Sequence, residues 1–387
     1  LSIIFADFPA RAPTLSQMTT SANGPCDFKS AAAPDLNLPT LLTHKSPGSP
    51  LHKAAPSPRA PMLRYESLPN ADAVDQHYKL RKEVGSGSYG KVWIGKCIKS
   101  GIHFAVKKVP LGTDGPKLAA VLSGERKGSL FEGHSSVERE LFATAMLRHP
   151  NLIRMRASFM DDVSLYLVLD LCTGGDLRQK VDRYGHDPDE PRVRQGLPLP
   201  MVARYAWQML EGLAYLHGNG IAHRDVKLEN YLLASRHDKA LLKLIDFGFA
   251  CQVELGVPLT RRLGSSAYVA PEVLSGAYGS ECDVYGVGVC SFFVVTARLP
   301  FDGQTDREVI AAKSSREADL RPGEWRDLPS DFQDLVRGML KKDPVDRPLA
   351  GKVITERDSW LRKEGYDPEG HASAVLGGQH KRCCTVS

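Results

Sequence analysis

His223-Arg224-Asp225-Val226-Lys227-Leu228-Glu229-Asn230 brings a carboxylate, an ammonium and a side-chain amide within eight residues. A short distance on, Asp246-Phe247-Gly248 closes the apolar run Leu241–Ile245. A carboxylate at a strand end, followed by a flexible glycine, suits a hard cation such as Mg2+, which prefers oxygen ligands. Just upstream, Met201–His217 carries Val202, Ala206, Met209, Leu213 and Leu216 at alternating spacings of 4 and 3, one apolar stripe on a helix that Pro200 introduces. Asp283–Thr296 is nearly continuously apolar and reads as a buried central helix, and Ser330–Lys341 as an amphipathic one. The half of the chain around the quoted stretch is therefore helical.

The part before it has a different texture. Tyr78–Val84, Lys91–Ile98 and His103–Val109 are short, rich in β-branched or aromatic residues and separated by Gly-rich turns, which predicts three successive antiparallel strands. Ser136–Arg148 reads as a helix, and Leu152–Ala157 and Leu165–Leu171 as two further strands. A small strand-rich unit followed by a larger helical one is an α+β pattern with two lobes. Gly112–Gly133 and Tyr184–Leu199 are polar and broken by Gly or Pro, as in surface insertions.

Two motifs in the strand-rich unit carry chemistry. Gly85-Ser86-Gly87-Ser88-Tyr89-Gly90 lies between two predicted strands. Glycines there allow backbone amides to approach phosphates closely, although a plain glycine hairpin has the same composition. The strand that follows, in place of a helix, argues against a dinucleotide fold. Phe104-Ala105-Val106-Lys107 puts a lysine on the third strand, where Glu140 on the next helix is a candidate partner; a lysine on a strand is otherwise simply solvated.

Together and in this order, the four motifs resemble the signature set of the eukaryotic protein kinases. Downstream, Gly264-Ser265-Ser266-Ala267-Tyr268-Val269-Ala270-Pro271-Glu272 is similar to that family's peptide-binding segment. Asp283-Val284-Tyr285-Gly286-Val287-Gly288 resembles its buried aspartate helix, and Asp343-Pro344-Val345-Asp346-Arg347-Pro348 its closing arginine motif. The likeness runs from about Tyr78 to Trp360. It implies a bilobal fold and transfer of the γ-phosphate of Mg-ATP, a reaction in which the protein contributes positioning and charge stabilisation.

The resemblance assigns roles residue by residue. Gly85, Gly87 and Gly90 cover the ATP phosphates, and Lys107, paired to Glu140, holds the α- and β-phosphates. Asp225 accepts the proton of the substrate hydroxyl, and Lys227 neutralises charge on the γ-phosphate. Asn230 and Asp246 bind Mg2+. Val92, Ala105 and Leu232 sandwich adenine, Leu169 guards the back of the pocket, Asp170 and Cys172 offer backbone groups to the base, and Asp176 meets ribose. Glu272 and Arg347 form a buried ion pair. Lys227 and Ser265 match the serine/threonine kinases, so the acceptor is Ser or Thr in a protein substrate. Glu229 and Asp176 would favour basic residues N-terminal to that acceptor. Arg224 would await a phosphate on the late loop, where Thr260 is the best candidate. A pseudokinase or signalling scaffold that binds nucleotide without turnover is the alternative reading.

Within the family, Tyr278–Asp283 and Pro300–Glu308 resemble the calmodulin-/calcium-dependent group, above all the catalytic domain of plant- and protist-type calcium-dependent protein kinases. No Asp-x-Asp-x-Asp-Gly loop occurs in the chain, so calcium-binding EF-hand repeats are not expected. Leu228 stands in place of the usual Pro, and Tyr285-Gly286 in place of the usual Trp-Ser.

Composition sets the outer bounds. The 387 residues are 42% hydrophobic and 25% charged, ordinary for a globular protein, and the net charge of +5 gives no case for nucleic acid. The eight cysteines show neither zinc spacing nor a disulfide framework, which points to a reducing, cytoplasmic setting. The chain opens on Leu1, with Met18 a candidate start. Residues 1–75 hold 11 of the 26 prolines and read as a disordered leader. The kinase domain is expected over 76–362, with an N-lobe of about 76–170 and a C-lobe of about 176–362. Residues 363–387 read as a flexible tail. Its end, Cys384-Thr385-Val386-Ser387, resembles a prenylation box and suggests membrane association through a farnesylated Cys384, with Cys383 as a second acylation site.

Overall fold

The computed structural model describes residues 73–87, 90–111, 135–185, 195–254, 256–320 and 323–356. The leader before residue 73, the insertion at 112–133, Ser88 and Tyr89 of the glycine motif, and the tail with Cys383 and Cys384 lie outside the described residues.

A single turn, α1 (Val74–His77), leads into β1 (Tyr78–Gly87), β2 (Gly90–Cys97) and β3 (His103–Pro110). Helix α2 (Ser136–Met146) follows, then β4 (Met155–Met160) and β5 (Ser164–Leu169). The strands form one antiparallel sheet in the order β1-β2-β3-β5-β4. Side chains alternate across a strand, and both faces of this sheet are used. Leu165 and Leu167 join Val109, Leu141 and Ala145 beneath α2. Tyr166 and Val168 point the other way, to Phe104, Val106 and Phe159. Lys107 sits between the second-face residues Val106 and Lys108 in sequence, so alternation turns it to the α2 side.

The second lobe begins with α3 (Leu177–Tyr184) and α4 (Leu199–Gly218), followed by the short strands β6 (Ile221–Ala222), β7 (Tyr231–Leu233), β8 (Leu242–Leu244) and β9 (Cys251–Gln252). Then come α5 (Pro271–Ser275), α6 (Glu281–Thr296), α7 (Asp306–Ser315), α8 (Gly323–Arg326), α9 (Ser330–Met339) and α10 (Ala350–Glu356). Helix α6 is buried from Cys282 to Thr296, as its nearly continuous apolar run requires. It packs against α4 and α9 in the core of this lobe. No described helix is long and apolar enough to cross a membrane.

The bilobal α+β architecture agrees with the sequence reading, and three local readings are corrected. The fourth strand was expected at Leu152–Ala157 but runs from Met155 to Met160. Leu152 and Ile153 are instead drawn into the second lobe: Ile153 donates to the Leu244 carbonyl at 2.9 Å, and Leu244 to that of Asn151 at 2.8 Å. Burial outweighs strand propensity there. Second, of the expected surface insertion Tyr184–Leu199, whose residues 186–194 lie outside the described residues, Gly196 and Leu197 are packed against the helical core. Leu197 is buried and its amide bonds the Val294 carbonyl at 2.7 Å, while a side chain at Gly196 would strike the Val295 carbonyl. Third, the helical lobe contains two small antiparallel sheets, β6–β9 and the β7–β8 hairpin, whose strands of two or three residues are too short for any periodicity to register.

Candidate active site

The cleft side of the small lobe is built by the β1–β2 hairpin. After register shifts between Leu80 and Gly85, the pairs Gly85–Val92, Ser86–Lys91 and Gly87–Gly90 carry the two strands to the turn. Gly90 has φ +153, and a Cβ there would lie 2.0 Å from the Lys108 carbonyl oxygen. Only glycine allows the hairpin to fold this closely over β3. Below it, Val84, Val92 and Ala105 make a small apolar cluster with Leu169 and Leu171 at its edge. Leu232, expected on the opposite side, is buried in the second-lobe core. Among the described residues, no protein group hydrogen-bonds the Asp170 carbonyl or the Cys172 amide. The Asp170 side chain, by contrast, pairs with Arg156 at 2.6 Å and Lys243 at 3.6 Å.

Lys107 and Glu140 meet as expected, with Nζ 2.6 and 2.7 Å from the two carboxylate oxygens and both groups buried. Their meeting depends on α2 being set correctly. Ser135 caps that helix, accepting from the Glu138 amide at 3.2 Å while Glu138 accepts from the Ser135 amide at 2.6 Å, a reciprocal capping box. One turn on, Arg139 donates to the Gly248 carbonyl at 3.0 Å and ties α2 to the Asp246-Phe247-Gly248 segment.

The quoted stretch wraps around one fully buried carboxylate. Asp283 on α6 accepts from the His223 amide at 2.8 Å, the Arg224 amide at 2.7 Å and His217 Nε2 at 2.9 Å. Burial opposes its ionisation; the hydrogen bond from His217 and the charges of His217 and His223 prevail and hold its pKa below the ordinary value of 3.8. These bonds hold Arg224 at φ +68, a conformation a non-glycine residue adopts only under such constraint. The loop is thereby bent immediately before Asp225. Asp225 accepts from Lys227 at 2.6 Å, Ser265 at 3.0 Å and the Asn230 amide at 3.0 Å. Asp246 is likewise left-handed at φ +63, with its carboxylate accepting from the Gly248 amide at 3.3 Å.

The donor set fits a hard cation. Asn230 spends its Nδ2 on Asp225, which leaves Oδ1 buried without a partner among the described residues. With the Asp246 carboxylate it offers the neutral and anionic oxygens such an ion takes.

Other residues extend or redirect the sequence reading. Asp176 caps α3, accepting from the Gln179 amide at 2.8 Å, a structural role beside the sugar contact expected of it. Arg224 donates to the Phe249 carbonyl at 2.6 Å and to the Tyr278 hydroxyl at 3.4 Å, and Tyr278 in turn donates to the Arg261 carbonyl at 2.5 Å. Thr260 is exposed beside that link. Glu272 and Arg347 form the expected buried bidentate pair, Nη2 to Oε2 at 2.7 Å, with the guanidinium 4.9 Å from the Tyr285 ring. The unusual Gly286 has a reason: a side chain there would press within 2.8 Å of Val226, next to Asp225. Asp283, His217 and Arg139 were not singled out as contacts to the loop. For Asp283 a signal existed, a lone acid inside an apolar helix; for Arg139 there was none.

Comparison with known proteins agrees with this geometry. The protein kinase domain matches residues 78–358. Calcium-dependent protein kinase 24 of Oryza sativa subsp. japonica is 32% identical over 312 residues, 80% of this chain and 56% of that protein. Calcium-dependent protein kinase 25 of Arabidopsis thaliana is 29% identical over 297 residues, 76% of this chain and 52% of that protein. The chain spans about half the length of the curated relatives it matches. With the family match covering most of its length and the geometry in agreement, the chain belongs to the protein kinase family.

Proposed function

We propose that this chain transfers the γ-phosphate of Mg-ATP to Ser or Thr hydroxyls of protein substrates. The observation that carries the reading is the Asp225 carboxylate, clamped by Lys227, Ser265 and Asn230, in a chain that also forms the buried Lys107–Glu140 pair. Bound Mg-ATP would supply the phosphoryl group and the cationic charge that spreads over it. Asn230 and Asp246 would hold the metal, and Lys107 the α- and β-phosphates. The chain's other work is positioning. Asp225 orients the acceptor hydroxyl and takes its proton. Lys227 lies against Asp225 and can shift its charge to the transferring group. The hairpin glycines keep water from the phosphates. The small apolar cluster of Val84, Val92 and Ala105 takes the base, with the Asp170 carbonyl and the Cys172 amide as its backbone partners.

A basic residue before the acceptor is the proposed preference. Glu229 supports it, because its Oε2 is buried with no partner among the described residues, beside an Asp176 whose pKa burial raises. Arg224 as a receiver for a phosphate on Thr260 is the proposed regulation, and the Tyr278 hydroxyl, which links Arg224 to the Arg261 backbone beside Thr260, supports it by placing the two segments together.

The test is transfer from Mg-ATP to an Arg-containing Ser/Thr peptide by the intact chain and by Asp246→Ala, each with and without calcium chelator. Chelator-insensitive transfer by the intact chain, at least about a hundredfold above the variant, is expected. Nucleotide binding with no transfer above the variant would favour the scaffold reading.

A further inference from the structure

Lysine is almost never fully buried without a partner of opposite charge. Lys313, in the last turns of α7, is 0% exposed, and among the described residues no carboxylate pairs with it. Its ammonium donates instead to two backbone carbonyls, Ala267 and Val269, each at 2.8 Å. The rings of Tyr285 and Phe301 lie 5.5 and 5.9 Å from the same nitrogen. The two carbonyls bracket Tyr268, inside the segment that runs from Ser265, bonded to Asp225, to the start of α5. From within the segment, the Ser265 carbonyl accepts the Tyr268 and Val269 amides, both at 2.9 Å. At the other end of α7, Asp306 accepts from Ser266 at 2.5 Å. Helix α7 therefore grips this segment at two points, and Lys313 is the buried one.

We propose that Lys313 is a positioning residue for acceptor-peptide recognition: its ammonium fixes the Ala267–Val269 backbone and so shapes the surface on which the peptide lies beside Ser265. The inference rests on the protein-kinase reading above. A hydrophobic side chain would fill this space without the penalty of an unpaired buried charge. What it could not supply is donors for two carbonyls that have no other partner among the described residues. Because the ion is desolvated, its pKa drops to about 7, so its charge changes near neutrality. Bonds from an ammonium are roughly twice as strong as those from a neutral amine. The grip therefore loosens as pH rises through that value. The titratable and charged groups around it belong to Tyr268, Tyr285, Arg347, Glu272 and the residues at both ends of α7. Tyr268 and Tyr285 are phenols pushed upward by burial. Arg347 and Glu272 are paired with each other next to Tyr285. Asp306, Arg307 and Glu308 at the start of α7 are exposed, and Asp302 and Glu317 pair with Arg316 and Lys342.

The experiment measures kcat and KM for peptide and for ATP between about pH 6 and 9, around the Lys313 transition, in the intact chain, Lys313→Gln and Lys313→Met. Amide hydrogen exchange of residues 264–270 is followed in parallel. Lys313→Met, which removes both charge-assisted hydrogen bonds, is expected to raise peptide KM about tenfold. ATP KM and kcat should stay within about twofold. Exchange in 264–270 should quicken. In the intact chain peptide KM should climb as pH rises through about 7, and Lys313→Gln, which keeps a donor but cannot titrate, should lack that climb. A Lys313→Met chain that fails to fold leaves the decision to Lys313→Gln and the pH profile of the intact chain. Unchanged exchange and a peptide KM profile identical in the intact chain and Lys313→Gln would overturn the proposal while leaving the kinase reading in place. An intact chain that transfers no phosphate to any peptide would overturn both.

Discussion

Asp283 shows how much a single side chain can organise. It is a carboxylate inside a helix buried along almost its whole length, where an unpaired charge would be prohibitive. Three donors repay that cost, two of them amides of the catalytic loop, so the same bonds that satisfy Asp283 bend the loop into its strained form. Its depressed pKa makes a statement about acid stability. The folded chain gives up this proton more readily than the unfolded chain does. Unfolding therefore takes up a proton as pH falls, and stability falls with it. The contribution is complete above the ordinary value of 3.8 and is lost as pH drops through the lower folded value. Urea titrations between about pH 5 and 3 should show the intact chain losing stability faster than Asp283→Asn, whose amide does not titrate. Parallel slopes would remove Asp283 from the acid transition. Its importance was open to a reading of the sequence, since an acid within an apolar run demands partners. Which partners could not be read, because His217 and His223 reach it only through the fold.

At the scale of elements, α2 decides whether the site is assembled. Glu140 reaches Lys107 only if the helix starts at the right residue and points along the sheet, and the capping box at Ser135 and Glu138 fixes that start. Ser135→Ala should cost about 1 kcal/mol of stability and lower kcat more than ATP binding, because the loss is felt at the register of Glu140. Chemical denaturation and steady-state kinetics measure the two effects, and unchanged values of both would show that Arg139 and the packing of Leu141 already hold the helix. The apolar periodicity of α2 is legible in the sequence, as is the alternation along β3 that turns Lys107 inward. The Arg139–Gly248 bond is not legible, since it joins residues 109 positions apart through no local pattern.

Over the whole molecule, the Glu272–Arg347 pair joins α5 to the loop before α10. Arg347 also donates to the carbonyls of Lys341, Lys342 and Glu281, so one guanidinium closes the base of the second lobe. Removing either partner strands the other charge and should cost on the order of 3–5 kcal/mol, whereas replacing both with apolar residues should cost far less. Equilibrium unfolding of Glu272→Leu, Arg347→Met and the double variant tests this; additive losses would refute a shared burial penalty. The pair was legible from its motifs, as were the two lobes, the order of their main elements and the residue types gathered in the cleft. Those follow from local rules: alternation, helical stripes, glycine where the chain must turn tightly. Tertiary structure alone decided that Leu152 and Ile153 leave the sheet for the second lobe, that Gly196 and Leu197 are pressed against α6, and that Lys313 is buried against Ala267 and Val269. In each case burial between distant segments outweighs what the local sequence prefers, and no pattern along the chain records which surface will cover a residue.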